Sequence, residues 1–304
     1  MSLLAAIDVG GTKTLIELFD AGSGRTQGAA EFPTPRSGDP ILVLASAIEK
    51  LSCDQTLAAI AVGCPGPLDP SAGLVVDPPN LARSWWHLPL GRGLSETFGC
   101  TVALENDGNL GALGESVAGA GRGFPSVLYL TVSTGVGAGF VTGETIFRGG
   151  RGFGLEVGHT TINASASAVC ACGRVGCLEA WASGSAIAGR ARAAGLGDGS
   201  GVSARSVAAA AASGEPRALR ILSEAAAYLG QGIVNLMYVF DPTLVLIGGG
   251  VAQSDLFVDL VTQAIASEKV MDPFRDVPVR QAELGRASVI SGAKVLVRRA
   301  AQGA

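Results

Sequence analysis

Apolar residues run almost unbroken from Leu3 to Val9, stop at Gly10-Gly11-Thr12, and resume from Thr14 to Phe19. Short apolar runs bounded by turn residues predict buried strands, and two of them about a glycine pair predict a hairpin. The pattern returns between Val127 and Gly143, with Leu130-Thr131-Val132-Ser133-Thr134-Gly135 falling on Ile7-Asp8-Val9-Gly10-Gly11-Thr12. An internal repeat about half a chain apart predicts two related α/β halves. Between the hairpins, Ala58 to Gly63 reads as a strand that ends in the rigid loop Cys64-Pro65-Gly66-Pro67-Leu68-Asp69-Pro70. Thr101 to Leu104 reads as another, leading through Glu105-Asn106-Asp107-Gly108-Asn109 into a small-residue helix, Leu110 to Ala118. Further on, Leu222, Ala226, Leu229, Ile233 and Phe240 recur at helical spacing within Pro216 to Phe240, and Asp241-Pro242 stops that helix. Thr243 to Ile247 then predicts a strand entering Gly248-Gly249-Gly250, Gly195 to Ser203 a surface loop, and Gly292 to Ala300 a terminal helix.

Composition narrows the class. The chain has 304 residues, 48% apolar and 16% charged, enough for two globular domains of about 150 residues each. A net charge of −4 argues against a nucleic-acid partner, whose footprint would be basic. The absence of an apolar run of about 18 residues predicts no membrane span. Neither a basic leader nor a small-residue cleavage site precedes Leu3, so no signal peptide is expected. Cys53, Cys64 and Cys100 stand singly among apolar neighbours while the other cysteines cluster, which fits a reducing cytoplasm.

The clustered residues carry the sharpest chemistry. Of two histidines and six cysteines, His159, Cys170, Cys172 and Cys177 fall in one short window as His followed by C-x-C-x4-C. Three thiolates and an imidazole make a closed tetrahedral set for a structural Zn²⁺; the plain alternative is three small buried cysteines and a chance histidine. Such a metal would also fix Glu156 and Glu179, which flank it. In the first hairpin, Gly10 and Gly11 can turn bare N–H groups to a phosphate, and Asp8 can hold Mg²⁺ through water, although any tight turn also favours glycine. Two such hairpins would grip a polyphosphate, and neither contains the Walker P-loop pattern. Gly248-Gly249-Gly250 would admit adenosine or its phosphates. Asn80, close to Trp85-Trp86, can line a polar pocket, with at least one tryptophan packed in the core. Asp107 is a helix cap, a general base, or both. The helix dipole is expected to keep its pKa low. Asn106 offers a neutral amide to a neighbouring hydroxyl.

Asp8-Val9-Gly10-Gly11-Thr12-Lys13, Glu105-Asn106-Asp107, Val132 to Gly139, Glu156-Val157-Gly158-His159, Cys170 to Glu179 and Leu246 to Gly250 together resemble the ROK family of sugar kinases and sugar-responsive repressors. The resemblance covers essentially the whole chain, and E-x-G-H followed by C-x-C-G-x-x-G-C-x-E is its most specific part. It implies a two-domain α/β actin-like or hexokinase-like ATPase fold with an inter-domain cleft, ATP, Mg²⁺ and a structural Zn²⁺. The domains expected are 1–117, with 292–304 packing back on it, and 118–291. By motif position, Asp107 is the implied catalytic base. Asn106, Glu156, His159 and Glu179 are implied sugar ligands, with Gly66 and Asn80 as weaker transfers. The nucleotide would fall to Asp8, Gly10, Gly11, Thr12, Lys13, Thr134, Gly135, Gly137 and Gly248 to Gly250. The expected activity is phosphorylation of a hexose 6-hydroxyl, foremost of glucose, because Ala182-Ser183-Gly184 after Trp181 looks like glucokinase members. Ser133-Thr134-Gly135-Val136-Gly137 and Gly158-His159-Thr160 also look like N-acetylmannosamine kinases. A repressor core without its DNA-binding domain and an actin-like ATPase without sugar chemistry are the remaining alternatives. A homodimer or homotetramer is expected.

Overall fold

The computed structural model describes residues 2–165, 168–197 and 201–303. The chain opens with β1 (Leu3–Val9), β2 (Lys13–Asp20), β3 (Thr26–Pro33), α1 (Pro40–Ser52), β4 (Leu57–Cys64) and the two-residue β5 (Leu68–Asp69) and β6 (Leu74–Val75). Next come α2 (Leu90–Phe98), β7 (Thr101–Asn106), α3 (Asp107–Ala118), β8 (Ser126–Val132), β9 (Val136–Thr142) and β10 (Thr145–Ile146). It continues with α4 (Glu179–Ala182), α5 (Gly184–Ala193), α6 (Ala204–Ala212) and α7 (Pro216–Phe240). It closes with β11 (Leu244–Gly248), α8 (Asp255–Ser267), β12 (Val279–Gln281) and α9 (Ser288–Gln302). Part of the loop expected at 195–203, residues 198–200, lies outside the described residues. No described helix is long and apolar enough to cross a membrane.

Two compact units result, one of Met1–Ala118, Glu144–Gly154 and Ala287–Ala304, the other of Gly119–Gly143 and Leu155–Arg286. The stretch Glu144–Gly154 belongs to the first unit, not the second as the sequence suggested. Its side chains explain this: Arg148 is ion-paired with Glu105 and Glu144 with Arg299.

In the first unit the sheet order is β3-β2-β1-β4-β7. β1 and β2 pair antiparallel from Leu3↔Asp20 to Val9↔Thr14, while β1, β4 and β7 run parallel. Six of the seven residues of β1 and seven of the eight of β4 are buried, so these strands read as continuous apolar runs rather than alternating ones. Trp85 is fully buried and its Nε1 donates to Pro35 O (2.9 Å), whereas Trp86 is exposed. α3 and α9 cross at glycines: a Cβ on Gly292 would stand 2.0 Å from Leu110 O, and one on Gly114 would stand 2.1 Å from Ser288 O. Only backbones without side chains can approach this closely, which is why the helix after Asn109 is built of small residues.

The second unit repeats the plan. β8 and β9 pair antiparallel from Ser126↔Thr142 to Val132↔Val136, β8 pairs parallel with β11, and β11 with β12. Each unit therefore places an antiparallel hairpin beside two later parallel strands, as the internal repeat predicted. α7 buries Leu222, Ala226, Leu229, Ile233, Leu236 and Met237 in the core of this unit. Pro216 opens its first turn, the Glu215 side chain accepts from Ala218 N–H, and Asp241 ends it in the left-handed region at φ 46°.

Candidate active site and metal centre

The parallel strands of the first unit end side by side, and their register sets Asp8 opposite Gly63 and Gly63 opposite Glu105. Carboxyl ends of strands in an open α/β sheet are where ligands bind. Burial, and then the charge of Asp107, push the Asp8 carboxyl up to about 7. Burial likewise raises Asp107, against the pull of the Gly108 N–H. The buried Cys64 thiol is driven well above its usual range by burial and then by Asp107 and Asp8, so it lies within the same negative field.

This overturns the expectation of a low pKa at Asp107. α3 begins at Asp107 itself, and its free N–H groups are met by Asn106, whose Oδ1 accepts from Gly108 N (2.8 Å) and Asn109 N (3.4 Å). Asp107 Oδ1 shares the Gly108 N–H, at 2.8 Å, and the backbone N–H of Asp107 itself also favours the charged form, together too little to offset its removal from water. Capping is thus mainly the work of Asn106, and Asp107 is left with acceptor capacity to spare.

The glycine turn beside this pair is braced from below. Gly10 N–H donates to Lys13 O (2.9 Å), Thr34 Oγ1 donates to Gly10 O (2.6 Å), and Thr34 N–H donates to Thr12 O (3.0 Å). Thr34 is buried, with its hydroxyl 3.0 Å from that of Thr14. Nothing in the sequence marked it, because the contact joins the end of β3 to a turn some twenty residues earlier. A cavity of about 300 Å³ opens here, lined by Gly11, Thr34, Pro35, Arg36, Asn80 and Leu81 among others, so the structure brings Asn80 to the phosphate-type turn. Lys13 is exposed and ion-paired with Glu31 on the neighbouring strand. Gly66 lies on the loop that follows β4.

In the second unit, the turn Ser133-Thr134-Gly135 is held by its neighbours. Gly184 N–H donates to Ser133 O (2.7 Å), Val251 N–H to Val132 O (2.9 Å) and Gly250 N–H to Ser133 Oγ (3.0 Å). Gly249 takes φ +87°, and a Cβ on it would meet Val132 O at 2.5 Å; one on Gly248 would meet Tyr129 Oη at 2.4 Å. Glycine at 248 and 249 therefore answers to backbone packing, and Gly250 is the member of the triplet that faces open space. Gly137 sits in β9, where a Cβ would stand 3.2 Å from Thr131 Cγ2.

His159, Cys170, Cys172 and Cys177 converge, with one potential ligand atom from each lying within 4.8 Å of all the others. Cys170 Sγ is 3.5 Å from His159 Nδ1, and Cys172 Sγ is 3.8 Å from Cys177 Sγ. Bridges Val169↔Val175 and Thr161↔Cys177 fold the loop back on itself, and Arg174 donates to His159 O (3.1 Å). Burial pushes the Cys170 thiol up to about 12 and raises Cys177. Sulfur and nitrogen donors in this number and spacing fit a dication such as Zn²⁺, which would displace those protons.

The flanking carboxylates are placed differently from each other. Glu179 accepts from Val136 N–H through Oε2 (3.0 Å) and from the Cys170 thiol through Oε1 (3.7 Å), so it ties the metal loop to the start of β9. Glu156 is exposed and precedes the short 3₁₀ turn Val157–His159. Gly158 of that turn packs on β9 so closely that a Cβ would meet Val136 O at 2.2 Å. Sequence reasoning had no signal for the Val136 contacts, which depend on two segments meeting in space.

A family model described as the ROK family matches residues 4–300. The chain belongs to the ROK family. It is 31% identical over 315 residues to a glucokinase of Streptomyces coelicolor, covering 98% of each chain. The crystal structure of a ROK hexokinase from Thermus thermophilus is similar with TM-score 0.85 and 35% identity, covering 99% of this chain and 100% of that one. A ROK family glucokinase from Streptomyces griseus, solved in complex with glucose and AMPPNP, is similar with TM-score 0.82 and 30% identity over 98% of this chain and 100% of that one. The mixed α/β fold, with its hairpin-led sheets, is the actin-like, hexokinase-like fold of these ROK relatives.

Proposed function

We propose that this protein is an ATP-dependent sugar kinase that phosphorylates the 6-hydroxyl of glucose. The observation that carries this is the pairing of Asp8 and Asp107 at strand ends beside the braced glycine turn. Named glucokinases matching almost the whole chain support the substrate.

Phosphoryl transfer asks a protein to orient two reactants, neutralise charge and accept one proton. Asp107 is the group that takes the proton of the 6-hydroxyl; a carboxylate raised toward neutrality by burial is a stronger base than one in water. Asp8 would hold Mg²⁺ through water, and its carboxylate chemistry fits a hard dication. The dication, when bound, neutralises phosphate charge, and its field would draw Asp8 and Asp107 back to the ionised form. Gly10, Gly11, Thr12 and Lys13 in the first unit, and Thr134, Gly135, Gly137 and Gly248 to Gly250 in the second, are assigned to the nucleotide.

Sugar hydroxyls fall to Gly66, Asn80 and Asn106 of the first unit. Asn106 has its Oδ1 committed to α3, so its Nδ2 is the donor left for a ligand. In the second unit the assignment is Glu156, His159 and Glu179. His159 turns Nδ1 to the thiols, which leaves Nε2 as the ring nitrogen to donate to a hydroxyl. Zn²⁺ held by His159, Cys170, Cys172 and Cys177 would be structural, since a closed set offers no open position.

Release of ADP measured with glucose, mannose, fructose, N-acetylmannosamine, N-acetylglucosamine and no sugar tests the assignment. Glucose should give the highest kcat/KM. A higher value with N-acetylmannosamine would reassign the substrate within the same chemistry, and sugar-independent hydrolysis would overturn the kinase function.

A further inference from the structure

We propose that Arg148 is a positioning residue for Asp107, acting through the buried carboxylate of Glu105; this rests on Asp107 being the base. Glu105 is 1% exposed, the penultimate residue of β7 just before the catalytic segment. Its Oε1 accepts from Asn106 N–H (2.9 Å) and from Asn109 Nδ2 (2.9 Å), one residue before Asp107 and two after it. Its Oε2 accepts from Arg148 Nε at 2.6 Å. One carboxylate thus clasps the end of β7 to the first turn of α3, with Asp107 held between its two donors, and Asn106 in turn caps the helix.

A carboxylate buried to this degree needs a cation, and Arg148 brings one from a segment 43 residues away in sequence. That segment is itself anchored within the first unit: Gly154 N–H donates to Arg148 O (3.0 Å), and Arg299 reaches Glu144 with two bonds of 2.8 Å, one to its backbone O and one to Oε2. The Arg148 side chain is 40% exposed, so it is fixed in place while remaining at the surface, and its bond goes to Glu105 and not to Asp107. Losing it would leave Glu105 buried without its counter-charge. The carboxylate would then turn toward water, and Oε1 would release Asn106 and Asn109. Asp107 would keep its chemistry and lose its aim.

The test is a double-mutant cycle on the full-length protein, with melting curves for each variant. Arg148→Ala should lower kcat about 10- to 100-fold, the scale of a misplacement near 1 Å, with KM for ATP within about twofold of the parent. Glu105→Gln keeps a neutral Oε1 acceptor for both donors and needs no cation. In Arg148→Ala/Glu105→Gln, kcat should therefore recover to within about threefold of Glu105→Gln alone. Should Arg148→Ala fail to fold, the comparison of the double variant with Glu105→Gln carries the test by itself. An unimpaired Arg148→Ala, or losses that multiply in the double variant, would overturn the inference. Asp107→Asn belongs in the same series. Parental turnover there removes the base and this inference together, whereas an impaired Asp107→Asn beside an unimpaired Arg148→Ala removes this inference alone.

Discussion

The backbone oxygen of Asn80 lies where a Cβ on Gly11 would stand 3.2 Å from it, so the hairpin tip and the Asn80 loop fit only with glycine or with a small retreat. Gly11→Ala should push Asn80 out of place and weaken glucose binding roughly 3- to 10-fold, an effect of about 1 kcal/mol. Calorimetry of glucose binding without nucleotide reads this directly. A Cβ on Gly10 meets instead Lys13 O, at 2.9 Å, within the turn itself. Gly10→Val should raise the KM for ATP while sparing glucose binding, and equal loss of both in a folded variant would contradict the assignment.

Asp107→Asn separates base from cap. Since Asn106 supplies the cap bonds to Gly108 and Asn109, the variant should melt close to the parent. It should lose about 10²–10⁴ in kcat with a modest change in glucose affinity, the range for removal of a general base. Parental kcat would rule Asp107 out.

The raised carboxyl of Asp8 makes stability depend on pH in a set direction. Its ordinary value is 3.8 and its folded value about 7, so between these the folded state binds more protons than the unfolded one. Stability without a dication should therefore be highest below pH 4 for this group and fall as pH rises to 7, with Asp107 shifted the same way. The loss is on the order of 2–4 kcal/mol. Urea midpoints of Asp8→Asn should lack most of this slope, lying above the parent at pH 7 although the variant is inactive. Addition of Mg²⁺ should flatten the parental slope. A urea midpoint that falls from pH 4 to 7 as steeply in Asp8→Asn as in the parent would refute this origin.

The sulfur and nitrogen cluster should retain about one Zn²⁺ per chain through purification, measured by mass spectrometry of the metal. Cys172→Ser should release it, lower Tm by about 5 °C or more, and weaken glucose binding, because the loop carries Glu179 and the Val136 contact. Activity intact at less than half an equivalent of metal would argue against a structural zinc.

Much of the fold was legible along the chain because it is written in local pattern. The hairpins at Gly10 and Ser133, the repeat they define and the buried face of α7 follow from apolar periodicity and from turn residues, both of which act over a few neighbours. The gathering of His159 with three cysteines was legible for a different reason: those residue types are scarce here, and their spacing leaves few other uses. Asp107 could be singled out as a candidate, but its pKa could not be read, since the pull of the helix is local whereas its burial arises only when β1, β4 and β7 lie side by side, which also brings its charge to bear on Asp8. The same limit hid the ion pair of Glu105 with Arg148, the brace of Thr34 on Gly10, and the packing that demands glycine at 158, 248 and 249. Sequence determines what each residue can do with its near neighbours. Which distant groups share its space, and so which charge is neutralised and which backbone may approach, is decided by the tertiary structure, because desolvation and close packing depend on everything that surrounds an atom.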